Sequence, residues 1–166
     1  MSDAAAAATG ALEAALAKVE DPEIPVALLD LGVLRGVTVD GTRVLVRLRP
    51  TRLGCPGRST MERDVAAAVK TVDPSLTVEV DWELLPWREQ DVTPAGKAAL
   101  ESIGYAVLLG GPARCPYCTS EDVRSDGEFG GALCKLPYTC RACGSTFDAM
   151  RSALACGHCI REQTAG

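Results

Sequence analysis

The chain has little of what most catalytic machinery needs. Its 166 residues include one histidine, His158, and only 4% aromatics. A lone imidazole near the end of the chain nearly excludes His-based acid–base chemistry, and a core poor in aromatics must be built from Val, Leu and Ala. There is no glycine-rich phosphate loop, no Ser-His-Asp set and no pair of catalytic carboxylates, so an independent enzyme is not expected. Positive charge is also short. Against 22 Asp and Glu stand 17 Lys and Arg, a formal net charge of −5, with a pI near 4.9. Non-specific nucleic-acid or membrane-surface binding needs a basic face, and this balance argues against both. No apolar run is long enough to span a bilayer. The Ala-rich opening after Met1-Ser2-Asp3 lacks a basic leading segment and does not read as a secretory signal. The expected location is therefore a reducing cytoplasm, with thiols or metal thiolates in place of disulfides.

What is present begins with cysteine, eight in all. Cys115-Pro116-Tyr117-Cys118 and Cys140-Arg141-Ala142-Cys143 are two Cys-x-x-Cys pairs. A short turn converges both sulfurs of such a pair on one ion, and two pairs complete a tetrahedral shell. The interval between them suits a small β-hairpin that returns the second pair to the first. Gly144 lets the backbone turn so that amides face the sulfur. A structural zinc on Cys115, Cys118, Cys140 and Cys143 is the expected occupant.

With 47% hydrophobic residues the chain has the means to form a core. Residues 3–19 predict a helix, with Leu12, Leu16 and Val19 on one face, stopped by Asp21-Pro22. Asp40-Gly41 between Val37-Thr38-Val39 and 43–49 predicts a hairpin. Ser59-Thr60-Met61-Glu62 reads as a capping box ahead of a helix with Met61, Val65, Ala68, Val69 and Val72 on its apolar stripe. Val78, Val80, Trp82 and Leu84 alternate as a strand. Thr93-Pro94 caps and opens a helix that Gly104 closes. The fold class is α/β (α+β), in the order α-β-β-α-β-α followed by a β-hairpin ribbon. The expected domains are 1–110, 111–150, and a tail at 151–166.

Cys55 lies in Thr51-Arg52-Leu53-Gly54-Cys55-Pro56, just before a helix N-terminus. The helix dipole and the flanking Arg52 and Arg58 favour a thiolate there, with a pKa below the ordinary thiol value. The alternative is a small buried apolar residue beneath the loop. Asp21, Glu23 and Asp30 surround a proline-stiffened turn, either as solvated loop and helix-stop residues or as a metal or catalytic site. Cys134, beside Lys135, is open to three roles: a replacement zinc ligand, a second thiolate for a transferred metal, or packing. Cys156 and Cys159 form a third pair, open to three readings: part of a second metal site with Cys134 or Cys55, an appended tail, or a redox pair.

Asp21-Pro22-Glu23-Ile24-Pro25, Asp30-Leu31-Gly32-Val33-Leu34 and the Thr51–Pro56 segment together resemble the MIP18 family, also called DUF59, whose small α/β domains are associated with iron–sulfur cluster assembly. Adding the two Cys-x-x-Cys pairs, Phe129-Gly130, Cys134-Lys135 and Phe147, the chain resembles the PaaD family over roughly residues 10–150. The resemblance implies an accessory role in maturing iron or iron–sulfur centres of the phenylacetyl-CoA epoxidase system. The implied partners are its [2Fe–2S] flavin reductase or its di-iron oxygenase, and a homodimer is compatible with it. It carries Cys55 over as the reactive or cluster-binding cysteine, with Asp21, Glu23 and Asp30 as the acidic part of the signature. It raises the functional weight of Cys134, and assigns Cys115, Cys118, Cys140 and Cys143 to metal. An iron–sulfur electron carrier and a structural adaptor of the oxygenase complex are the alternative readings.

Overall fold

The computed structural model describes residues 3–108, 111–127, 130–131 and 134–150. It divides into two compact units. The first comprises 1–50 and 54–85, and the second comprises 51–53 and the chain from Pro86 onward.

The first unit is a helix-backed sheet. Helix α1 (Asp3–Leu16) precedes strands β1 (Leu34–Asp40) and β2 (Arg43–Leu48), helix α2 (Arg58–Val72) and strand β3 (Thr77–Trp82). The β1–β2 hairpin is antiparallel, as Asp40-Gly41 predicts. Strand β3 pairs parallel to β2, so α2 serves as the crossover of a β-α-β unit. Alternation along β2 buries Val44, Val46 and Leu48 completely. Leu12 and Leu16 of α1 and Met61, Val65 and Val69 of α2 are buried with them, as the sequence pattern leads one to expect, whereas Val72 at the end of the expected stripe is exposed. The opposite face of the sheet carries cross-strand ion pairs, Arg43–Glu79 and Arg49–Glu83, both at 2.8 Å.

Two local expectations change. Helix α1 ends at Leu16, three residues before Val19. There the amides of Lys18 and Val19 bond three residues back, tightening the last turn before the proline-rich stretch. The capping box at Ser59 and Glu62 does not form. Helix α2 starts at Arg58 with Gly57 as its N-cap, and no side chain caps it. Ser59 is thus already helical, and Glu62 instead accepts a hydrogen bond from the Trp82 indole on β3.

The second unit holds a short 3₁₀ turn (Glu89–Asp91), helix α3 (Pro94–Ser102) and strands β4 (Tyr105–Val107), β5 (Val123–Ser125), β6 (Lys135–Cys140) and β7 (Thr146–Met150). Thr93 caps α3 as expected, its hydroxyl accepting from the Gly96 amide at 2.9 Å. The β6–β7 hairpin is there too, but it sits in a four-stranded sheet of order β4-β7-β6-β5. Strand β4 pairs parallel to β7, Tyr105 to Asp148 and Val107 to Met150. The expected boundary at residues 110/111 therefore differs from the division of the compact units: α3 and β4 go with the cysteine-rich sheet. One face of that sheet packs Ala106, Cys115, Cys140, Phe147 and Ala149 into a small core with Leu136 and Tyr138. The Tyr138 and Phe147 rings stack at 5.6 Å.

This pairing has a measurable consequence. In a fragment ending at residue 110, β4 loses β7, and the amides of Tyr105–Val107 should exchange with solvent as freely as those of an unfolded chain. A fragment ending at Leu85 should unfold cooperatively on its own. Slow exchange at Tyr105–Val107 in the longer fragment would show that β4 holds its place without β7.

Candidate metal centre and the Cys55 loop

The Sγ atoms of Cys115, Cys118, Cys140 and Cys143 all lie within 4.8 Å of one another. Cys115 and Cys143 are 3.7 Å apart, and Cys118 and Cys140 are 3.6 Å apart. A tetrahedral metal–sulfur shell with bonds of about 2.3 Å has edges of about 3.8 Å. The four cysteines expected from their spacing thus converge at the separation a single ion requires, a cluster that could hold one metal ion.

The two loops that carry these sulfurs are built alike. In the first, the Cys115 amide donates to the Ser120 carbonyl and the Thr119 amide to the Cys115 carbonyl. In the second, Cys140 donates to Ser145 and Gly144 to Cys140 at the same offsets. Each loop then aims a serine amide at its outer sulfur, Ser120 at Cys118 and Ser145 at Cys143. Such N–H donors stabilise negative sulfur and orient it toward an ion. The repeated Cys-x-x-Cys-x-Ser pattern is the sequence signal for these donors, one step beyond the cysteines themselves. Both loops reach positive φ at the same position, Gly144 at 79° and Thr119 at 63°. Glycine takes that conformation freely, whereas a β-branched residue is strained in it.

The outer thiols of the two loops differ in acidity. The Ser145 hydroxyl and amide, followed by the Cys118 and Cys140 thiols, hold Cys143 down to about 6. The Ser120 amide pulls Cys118 down, but donation toward Cys143, burial and the other thiols outweigh it and push Cys118 up to about 12. Cys143 is therefore the readier thiolate of the two, and binding an ion through Cys118 must expel its proton. Cys134 is buried just ahead of β6 and stands outside the set of four. Cys156 and Cys159 lie outside the described residues, as does the tail that carries them.

Cys55 sits half-buried in the loop entering α2. Its neighbours come from both sides of the sequence. The charges of Asp21, Glu23 and Arg58 all act on the thiol, and the Gly57 amide donates to it. Asp30 is not among those charges; it is half-buried in the loop before Gly32. Gly57 is packed so closely that a Cβ there would stand 2.8 Å from the Pro22 ring and 3.6 Å from the Cys55 sulfur. Asp21, itself buried, uses one carboxylate oxygen to accept from the Glu23 and Ile24 amides at 2.9 and 3.1 Å. The Asp-Pro-Glu turn is thereby locked against the start of α2.

The expected low thiol pKa is not found. Burial raises the Cys55 pKa, and although the Gly57 amide opposes it, Asp21 and Glu23 add to the rise more than Arg58 removes. The helix end does act as expected through Gly57, but desolvation of the charged form is larger. Arg58 is also drawn over the Trp82 ring, 4.5 Å from its centroid, and nothing in the local sequence around Cys55 signals that contact.

Residues 10–82 match the family model described as iron–sulfur cluster assembly protein, and residues 108–151 match the PaaD zinc beta ribbon domain. A protein of Escherichia coli (strain K12), provisionally named as one of the subunits of 1,2-phenylacetyl-CoA epoxidase, is 32% identical over 145 residues, covering 81% of this chain and 87% of that protein. The chain belongs to the PaaD family. The crystal structure of a domain of unknown function DUF59 from Bacillus anthracis shares 30% identity, covers 57% of this chain and 92% of that one, and superposes with a TM-score of 0.52. It corroborates the mixed α/β fold. As a PaaD family member the chain pairs an assembly-type domain with a four-cysteine ribbon. Among the described residues no helix is long and apolar enough to cross a membrane.

The strained position in the first ribbon loop is testable. Relief of the left-handed backbone at Thr119, less the entropy glycine gains when unfolded, should make Thr119→Gly more stable by roughly 0.5–1 kcal/mol. Chemical denaturation of the metal-loaded protein reads this directly, and an unchanged or lowered midpoint would show that the Thr119 hydroxyl, bonded to the Cys118 carbonyl, compensates the strain.

Proposed function

We propose that the chain is a non-catalytic accessory factor that loads iron, or a nascent iron–sulfur centre, into the phenylacetyl-CoA epoxidase system in the cytoplasm. The observation that carries this reading is that the Cys55 thiol, at the N-terminus of α2, feels the charges of the Asp21 and Glu23 carboxylates. A single soft thiolate flanked by hard oxygen donors suits transient capture of a ferrous ion as cargo better than permanent retention. The flanking negative charge favours a free cation over an anionic, fully thiolate-bound cluster. Capture would exchange the Cys55 S–H bond for an S–Fe bond and release the proton to solvent. Hand-over to the client would restore the thiol. Asp30 and Cys134 are further candidates for passing the metal on. The client is the [2Fe–2S] flavin reductase or the di-iron oxygenase of that system.

In this reading the four ribbon cysteines hold zinc, which supplies a redox-inert cross-link for a sheet with few large apolar residues. Metal binding in small modules of this kind contributes on the order of ten kcal/mol to folding. An anaerobically purified protein should be colourless, with one zinc. A stable brown chromophore lost on Cys140→Ser would instead make the chain an iron–sulfur electron carrier.

Two outcomes follow. Cys55→Ala should keep its fold and its ribbon zinc, yet leave the co-expressed client deficient in iron or [2Fe–2S] cluster; normal client loading by a folded Cys55→Ala protein would sink the transfer mechanism. Because the Cys55 pKa is raised, the thiol is protonated at neutral pH and must lose that proton to bind iron. Ferrous affinity should therefore fall about tenfold for each pH unit below neutrality, equivalent to about 1.4 kcal/mol. Anaerobic titration at several pH values measures the slope. A flat profile would mean that the thiolate is preformed or that Cys55 is not a ligand.

A further inference from the structure

All three tyrosines of the chain line one cleft of about 440 Å³ in the second unit, together with Asp126 and Asp148. No lysine or arginine is among the described residues that line it. Tyr105 and Tyr117 beside Asp148, with no cation in the lining, are complementary to a positively charged guest, because ring faces and carboxylates attract the same sign of charge.

The walls are held in place. Tyr117 projects from the first ribbon loop, 58% exposed. It approaches Gly104 so closely that any Cβ there would collide with its hydroxyl, and Gly104 at φ +84° already requires glycine. Tyr105 follows in β4, and parallel pairing sets it beside Asp148 of β7. Asp126 is steadied by the Thr139 hydroxyl and by Arg124 at 2.9 Å. Asp148 forms no ion pair of its own among the described residues. The neighbouring surface already holds a cation in this way. The Lys135 ammonium lies 5.0 Å from the Tyr105 ring centroid and feels the charge of Asp148. Exposed Ile103, 41% accessible, extends the apolar rim.

We propose that this cleft is a docking site for an arginine or lysine side chain on the surface of a protein partner. The guest's charged head would meet Asp148, with its stem laid along Tyr117 and Ile103. The ribbon would then recognise a partner on a surface built from residues other than its metal ligands, and this proposal does not depend on iron transfer at Cys55.

The experiment is a titration of the full, metal-loaded chain followed by NMR of the tyrosine rings and backbone amides. The probes are the peptide Gly-Ser-Arg-Ser-Gly, its Gln-substituted counterpart and spermidine. Saturable shifts centred on Tyr117 and Asp148 are expected with the arginine peptide. The dissociation constant should be on the order of millimolar, as befits one exposed charge pair with a ring contact, and should rise with salt. Asp148→Asn and, separately, Tyr117→Ala should each weaken binding at least threefold while retaining bound metal and dispersed spectra. Asp126→Asn supplies a second carboxylate variant should Asp148→Asn fail to fold. Equal shifts with the glutamine peptide, or undiminished binding to the folded variants, would overturn the proposal. Tighter binding of spermidine than of the arginine peptide would overturn the protein-partner assignment in favour of a free polyamine.

Discussion

Four sulfurs packed within 4.8 Å of one another are a poor arrangement for a protein without an ion. As thiolates they repel, and as thiols they exchange only weak S–H bonds. Two mirrored loops nonetheless hold them there, each with a serine amide aimed at sulfur and each passing through positive φ at the same offset. Cys115 and Cys140 are buried in the core of the sheet, while Cys118 and Cys143 face outward. The ion site and the core of the second unit are therefore one structure, and the strands hang from it. The small apolar set around Phe147 and Ala149 would be thin support for four strands by itself.

The Cys55 loop shows two electrostatic effects in competition. Placing a cysteine before a helix invites a thiolate, and the Gly57 amide does stabilise one. The same placement half-buries the sulfur within the field of the Asp21 and Glu23 charges, and desolvation prevails. A thiol that stays protonated until a cation arrives is suited to capture and release, because proton and metal compete for the same sulfur. The Asp-Pro-Glu turn thus has two roles. Asp21 ties down the turn through the Glu23 and Ile24 amides, and its charge together with that of Glu23 tunes the thiol.

Much of this was legible from local pattern. Alternation in 43–48, the Asp40-Gly41 turn, the stripe of Met61, Val65 and Val69, and Thr93-Pro94 each specify an element through contacts a few residues apart. The two Cys-x-x-Cys pairs specify the four-sulfur cluster in the same way. What local pattern could not supply were pairings across long intervals. Glu62 looked like a capping residue until β3 brought the Trp82 indole to it. The three residues of β4 carry too short a signal to be read as a strand, and only the free edge of β7, some forty residues later in sequence, makes them one.

By itself the sequence determined the elements of the first unit, helix α3, the β6–β7 hairpin, the four cysteines that converge and the association of Cys55 with an acidic, proline-stiffened signature, because each is written in residue types at short spacing. Tertiary structure alone decided that α3 and β4 join the ribbon, that burial overrides the helix end at Cys55, and that three scattered tyrosines meet two aspartates in one cleft. Each of these depends on which distant groups exclude water from one another, and solvent exclusion is a property of the packed chain that no local window contains.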